Sequence, residues 1–380
     1  MTHSEDSTIV VFVFFNIVRG LFSVIFCSAR RLFRVHPDRL SAIIALVLLG
    51  FCLPGCSGKS NIVTAIAINP GHPNVLFIAT NDAVYKTRDD GAAWIPVTEG
   101  LGHARILSLA IHPTNISTVY AGTLGDAVYR SMDGGHRWSI INAGMKEHVT
   151  YVNTFAFHPK NPEIILAATT VGIFETKNGG LMWEELSNKG MDSVYVVAAV
   201  IDPVETETLY AGTSGGVYKT TNGGMNWVPI NRGLIEGEFR TALALGINSL
   251  LMDPADRMTL YAGSTRGVFK TSDGGSAWMK IQEGMGERFV AAIVLHPAEP
   301  NVLYAGTQNG VYKTTDAGGR WEQRSNGLTN LNIRSLAIHP KDSDVLYAGT
   351  QGGLFKTTDG GVRWIALTVR PTPSARPPKL

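Results

Sequence analysis

A chain of 380 residues that is 44% hydrophobic can bury a large core, and its net charge of +2 is small for that size. Beyond position 56 the charges balance, 28 Lys+Arg against 28 Asp+Glu, so nothing electrostatic points to nucleic acid or to an acidic membrane surface as partner. All three cysteines (Cys27, Cys52 and Cys56) lie near the N-terminus, which excludes disulfides, zinc sites and a thiol nucleophile from the remainder, and no metal or other cofactor is expected.

Residues 1–56 read as an export segment. Two apolar stretches, 9–27 and 42–53, flank a basic patch with Arg30, Arg31, Arg34 and Arg39. The second is about twelve residues long, the length of a signal-peptide core and short for a bilayer span. It ends in Leu53-Pro54-Gly55-Cys56, which resembles a bacterial lipoprotein signal, except that Pro54 replaces the usual small or aliphatic residue. That resemblance implies a mature N-terminus at Cys56 bearing lipid and a domain tethered in the bacterial cell envelope. Ser57, rather than Asp, after the cysteine implies an outer-membrane destination in a cell with two membranes. An ordinary cleaved signal and an uncleaved anchor remain open. The first stretch reads either as a span entering with its acidic start outside, or as sequence upstream of a start near Val35. Ala29–Arg34 also faintly resembles a twin-arginine export signal. Residues 57–61 form a short linker.

From residue 62 to 369 one unit of about 45 residues recurs seven times. All seven tryptophans hold the same place in it: Trp94, Trp138, Trp183, Trp227, Trp278, Trp321 and Trp364. Each unit predicts four short strands. The first is apolar with small residues, as in Ser335-Leu336-Ala337-Ile338. A turn containing Pro follows, led by Asn69, His112, His158, Asp202, Asp253, His296 or His339, which marks the histidines as turn formers rather than metal ligands. The second strand resembles Leu303–Thr307, the third Val-Tyr-Lys-Thr, and the fourth starts at the tryptophan. Alternating apolar residues bounded by Gly, Pro and Asn are strand signals, and no helical period is sustained. Four antiparallel strands repeated seven times predict an all-β fold, a single seven-bladed β-propeller. Blade and repeat borders coincide, so the ring should close by side-chain packing between blades 1 and 7. The proline-rich tail, 370–380, is expected to be disordered.

The turn before each tryptophan fits Ser/Thr-x-Asp-x-Gly-x-x-Trp. Its acidic position is held by Asp89, Asp133, Asn178, Asn222, Asp273, Asp316 and Asp359. A side-chain oxygen there can accept backbone N–H bonds across the turn, the glycine permits positive φ, and the indole packs across its hairpin. One carboxylate per turn, spent on its own backbone, makes a poor calcium cage. This is similar to the Asp-box of the bacterial neuraminidase repeat. Over residues 62–369 the chain resembles the broad group of sialidases, xyloglucan-cleaving glycoside hydrolases, sortilin-type receptor propellers and the photosystem II assembly propeller. That resemblance implies architecture, not activity.

The sialidase-like enzymes carry an arginine triad, an acid and a Tyr–Glu nucleophile pair. Here the first repeat has only Arg88, inside its box turn. Xyloglucan-cleaving relatives set two carboxylates between tandem propellers, and this chain has one propeller. Glu236 and Glu238 are a weak carboxylate pair on an insertion and read better as solvated loop charge. Variable sequence concentrates in the connections between blades, which line one face around a propeller's channel. Counting back from each repeat's proline selects Ile62, Arg105, Tyr151, Tyr195, Gly246, Phe289 and Asn332, with Arg240, Arg288 and Arg334 close by. Arginine mixed with aromatics is the composition of binding surfaces, while plugging of the channel mouth is the plain alternative. The candidate binding residues are therefore Arg105, Tyr151, Tyr195, Arg240, Arg288, Phe289 and Arg334, expected to be exposed. The function expected is a non-catalytic, exported, monomeric scaffold that engages a protein or glycan. A glycoside hydrolase is the alternative, or a photosystem assembly-factor-like propeller if the organism is photosynthetic.

Overall fold

The computed structural model describes residues 62–126, 128–145, 151–234 and 245–369. Twenty-eight strands, β1–β28, fold into seven four-stranded antiparallel sheets, each built from four strands consecutive in sequence. No helix occurs among the described residues. In blade 1 the strands are β1 (Val63–Ile68), β2 (Leu76–Thr80), β3 (Val84–Thr87) and β4 (Ile95–Pro96). The first strands of the other blades are β5 (Ile106–Ile111), β9 (Val152–Phe157), β13 (Val196–Ile201), β17 (Ile247–Met252), β21 (Val290–Leu295) and β25 (Ile333–Ile338). Each first strand packs against the next, and β25 packs against β1, which closes a ring of seven blades.

Burial explains why each strand has its composition. Second strands lie between two neighbouring blades and are buried on both faces, as at Leu209–Thr213, hence their continuous small and apolar sequence. First strands alternate, and outer strands are two or three residues long and largely exposed, which blunts the free edge. Second-strand glycines admit the next blade: a Cβ on Gly349 would lie 2.8 Å from Val63 Cγ1.

The seven box tryptophans are buried, none more than 4% exposed. They do more than pack across their own hairpins. Trp183 joins Phe174 and Ile165 of blade 3 to Tyr120 and Val128 of blade 2 in one apolar cluster. Its indole Nε1 donates to Ile141 O at 2.8 Å and its backbone N–H to Ala143 O at 2.8 Å, both on the preceding blade. Trp138, Trp227, Trp278, Trp321 and Trp364 repeat both bonds. The tryptophan is thus a wedge between blades. The glycines that follow in the preceding blade (Gly100, Gly144, Gly190, Gly233, Gly284 and Gly327) lie at positive φ, where a Cβ would reach the carbonyl of the next blade's tryptophan at 2.0–2.2 Å.

Antiparallel order puts the 1–2 turns and the box turns at one end of the inner strands, here the box face. The 2–3 turns and the links between blades meet at the other end, the connection face. Blades 1 and 7 close without exchanging a strand; Val63, Leu76, Ile78 and Trp94 pack on Val345, Tyr347 and Leu354.

Candidate functional site

On the box face the Asp-box side chains are spent on their own turns. In blade 2 the Ser131 hydroxyl donates to Asp133 Oδ1 at 2.8 Å and accepts the Gly135 N–H at 2.8 Å, while Oδ1 also accepts the Arg137 N–H at 2.9 Å. The same three bonds recur around Asp89, Asp273, Asp316 and Asp359, and around Asn178 and Asn222. Only Oδ1 is used, which is why asparagine serves equally. The Ser/Thr hydroxyl, or for Asp133 the Arg137 N–H first, holds the five aspartates below the ordinary carboxyl value. The turn histidines act as predicted: Nδ1 of His158 accepts the Lys160 and Asn161 N–H groups at 3.1 Å, which leaves the ring proton on Nε2. Among the described residues no group of three His, Asp or Glu side chains could hold a metal ion.

The connection face is different. The carbonyls of Arg105, Tyr151, Tyr195, Gly246, Phe289 and Asn332 each accept the N–H of the residue that follows their blade's second strand, at 2.8–3.4 Å, so these positions are equivalent by geometry as well as by counting. One step further in, all seven inner strands carry a β-bulge at their second residue: Thr64, Leu107, Asn153, Val197, Asn248, Ala291 and Arg334. A bulge lifts its residue out of the ladder and re-aims the side chain. Thr64, Asn153 and Asn248 use it to donate to the first inner-strand carbonyl of the next blade, at 2.9, 2.7 and 3.0 Å. Sequence reasoning missed these three, because a bulge leaves no mark in residue type.

The candidate residues divide in two. Arg105 and Arg334 are exposed, and among the described residues neither guanidinium meets a carboxylate. Tyr195 is 38% exposed; burial first, then the neighbouring Tyr151, pushes its hydroxyl above the usual phenol value. Tyr151 and Phe289 are half-buried. Arg288 is too, since its Nε donates to Met285 O at 2.7 Å and its guanidinium lies 5.5 Å over the Tyr312 ring. It braces the connection it sits in. Arg240 and Cys56 lie outside the described residues, as do Glu236 and Glu238.

Fold and box turns together define an Asp-box propeller. The family model for sortilin (neurotensin receptor 3) and Vps10 matches residues 82–187 and 266–374, and the chain belongs to that family. No curated protein matches its sequence. Among solved structures it is similar to the GH74 xyloglucanase from Xanthomonas campestris, with 16% identity and a TM-score of 0.64, over 82% of this chain and 55% of that one. It is similar to the extracellular domain of a one-component system from B. thetaiotaomicron, with 16% identity and a TM-score of 0.64, over 79% of this chain and 39% of that one. YCF48 bound to D1 peptide matches with 16% identity and a TM-score of 0.59, over 79% of this chain and 94% of that one. The chain spans about half or less of the first two and nearly all of the third. At these identities the likeness is one of fold.

Proposed function

We propose that this propeller is an exported, non-catalytic binding module that engages a protein or glycan segment through its connection face, held to a membrane by lipid on Cys56. The observation that carries the reading is the contrast between the two faces. The Asp-box carboxylates are consumed by their own turns, whereas the connection face combines exposed Arg105 and Arg334 with the Tyr151–Tyr195 pair on a face that carries seven bulges. Arginine and tyrosine are among the residues that dominate binding energy at interfaces. The near full-length likeness to a single propeller seen with a peptide supports a protein segment over a glycan. A likeness to an extracellular bacterial domain supports export.

The test is capture by the purified protein from peptide and glycan arrays, compared with the triple variant Arg105→Ala, Tyr195→Ala, Arg334→Ala. Loss of capture with an unchanged melting midpoint is expected. Hydrolysis of a sialoside or β-glucan, abolished by Glu236→Gln, would replace this reading with the glycoside hydrolase.

A further inference from the structure

At four junctions the blades are latched on the box face by side chains that reach the next blade's box turn. Lys86 Nζ donates to Gly134 O at 2.7 Å. Tyr120 and Arg130 donate to Gly179 O at 3.1 and 2.6 Å, and Tyr210 and Lys219 to Gly274 O at 3.3 and 3.1 Å. Tyr304 donates to Gly360 O at 3.2 Å. The acceptor is always the backbone carbonyl of the glycine that follows the box Asp or Asn.

Two blades carry another residue at that position: Ala317 in blade 6, at φ 57, and Asp90 in blade 1. Asp90 stands where those glycines stand and keeps their left-handed backbone, at φ 61. Of the two, only Asp90 has a side chain that can form a hydrogen bond. Its carboxylate receives both Lys356 Nζ and the Tyr347 hydroxyl of blade 7, with its own carbonyl farther off, at 3.4 Å from that hydroxyl. Every other pair of adjacent blades is also joined by the chain itself. Blades 7 and 1 have neither a connection between them nor a shared strand. Near the axis this seam lacks a bond found elsewhere: Ser108 Oγ donates to Val152 O at 2.9 Å between blades 2 and 3, whereas the corresponding Ser335 Oγ at the seam is buried without a partner among the described residues.

We infer that Asp90 is the clasp of the ring, a side chain that takes two charge-assisted or hydroxyl hydrogen bonds from blade 7 at the one junction the chain does not join. A carboxylate binds an ammonium more strongly than a carbonyl does, and this is where the added strength is needed. The clasp is independent of any ligand, so its failure would leave the binding reading untouched.

Hydrogen exchange on the full chain tests it, with Asp90→Asn, Lys356→Met, the double variant, and Lys219→Met as the equivalent change between blades 4 and 5. Asp90→Asn and Lys356→Met should each speed exchange in blades 1 and 7 about tenfold while blade 4 stays protected. The double variant should be faster than Lys356→Met by less than the sum of the single effects, because both single changes remove the Lys356–Asp90 bond while Asp90→Asn also weakens the bond to Tyr347. Lys219→Met should loosen its own junction less. Uniform acceleration over all blades, additive single effects, or equal loosening by Lys219→Met would each overturn the clasp.

Discussion

Asp133 and Asn222 do the same work with one oxygen, so Asp133→Asn should leave the folded box intact at neutral pH. The difference emerges in acid. Because the box carboxyls are held below their ordinary value of 3.8, their contribution is fully present above that value and is lost as pH falls through the lower, folded one. Thermal midpoints measured from pH 5 to pH 2 should therefore drop less steeply for Asp133→Asn than for the native chain. An equal slope would mean that the hydroxyl and N–H bonds do not favour the charged form. The glycines separate in the same way. Gly100→Ala drives a Cβ into the Trp138 carbonyl at φ +92 and should cost about 3 kcal/mol or more by urea unfolding. Gly102→Ala, at φ +58 with nothing nearby, should cost about 1 kcal/mol.

At the scale of the blade, the junction between blades 3 and 4 lacks the residues that could form the latch. Leu166 and Glu175 occupy the places of the latching tyrosine and lysine and can donate nothing to Gly223 O; Glu175 pairs with Lys177 at 3.3 Å instead. Apolar packing of Leu166, Val196, Leu209 and Trp227 holds this junction. Supplying the latch with Leu166→Tyr and Glu175→Lys together should raise stability by about 1 kcal/mol, seen as a higher urea midpoint at unchanged slope. Trp227→Ala should remove about 3–5 kcal/mol, because it empties the space between two blades as well as a hairpin. Repeat number, strand order and the turn role of His158 were legible in the sequence because each depends on residues close together in the chain. The latches were not, since Lys86 and Gly134 are 48 residues apart and nothing local couples them. Asp90 reads as one more acidic residue beside Asp89 until blade 7 is seen against it. Arg288 reads as a free loop cation, and only the fold brings it over Tyr312.

At the scale of the whole molecule, the proposed binding and the proposed anchoring are expected to separate. Cys56→Ser should move the protein out of the membrane fraction or leave its precursor unprocessed, with array capture unaffected. An unmodified N-terminus downstream of Cys56, found by mass spectrometry, would refute the lipid while sparing the export. The seam has one more consequence. Val369 occupies the place of Glu99, and Ile62 that of Arg105, which in the next junction are joined by the five residues Gly100–Ala104. A copy of that pentapeptide should splice 369 to 62, after which new termini can be cut into any other inter-blade link. Such circular permutants should fold with their seam moved, because no strand would have to change sheets.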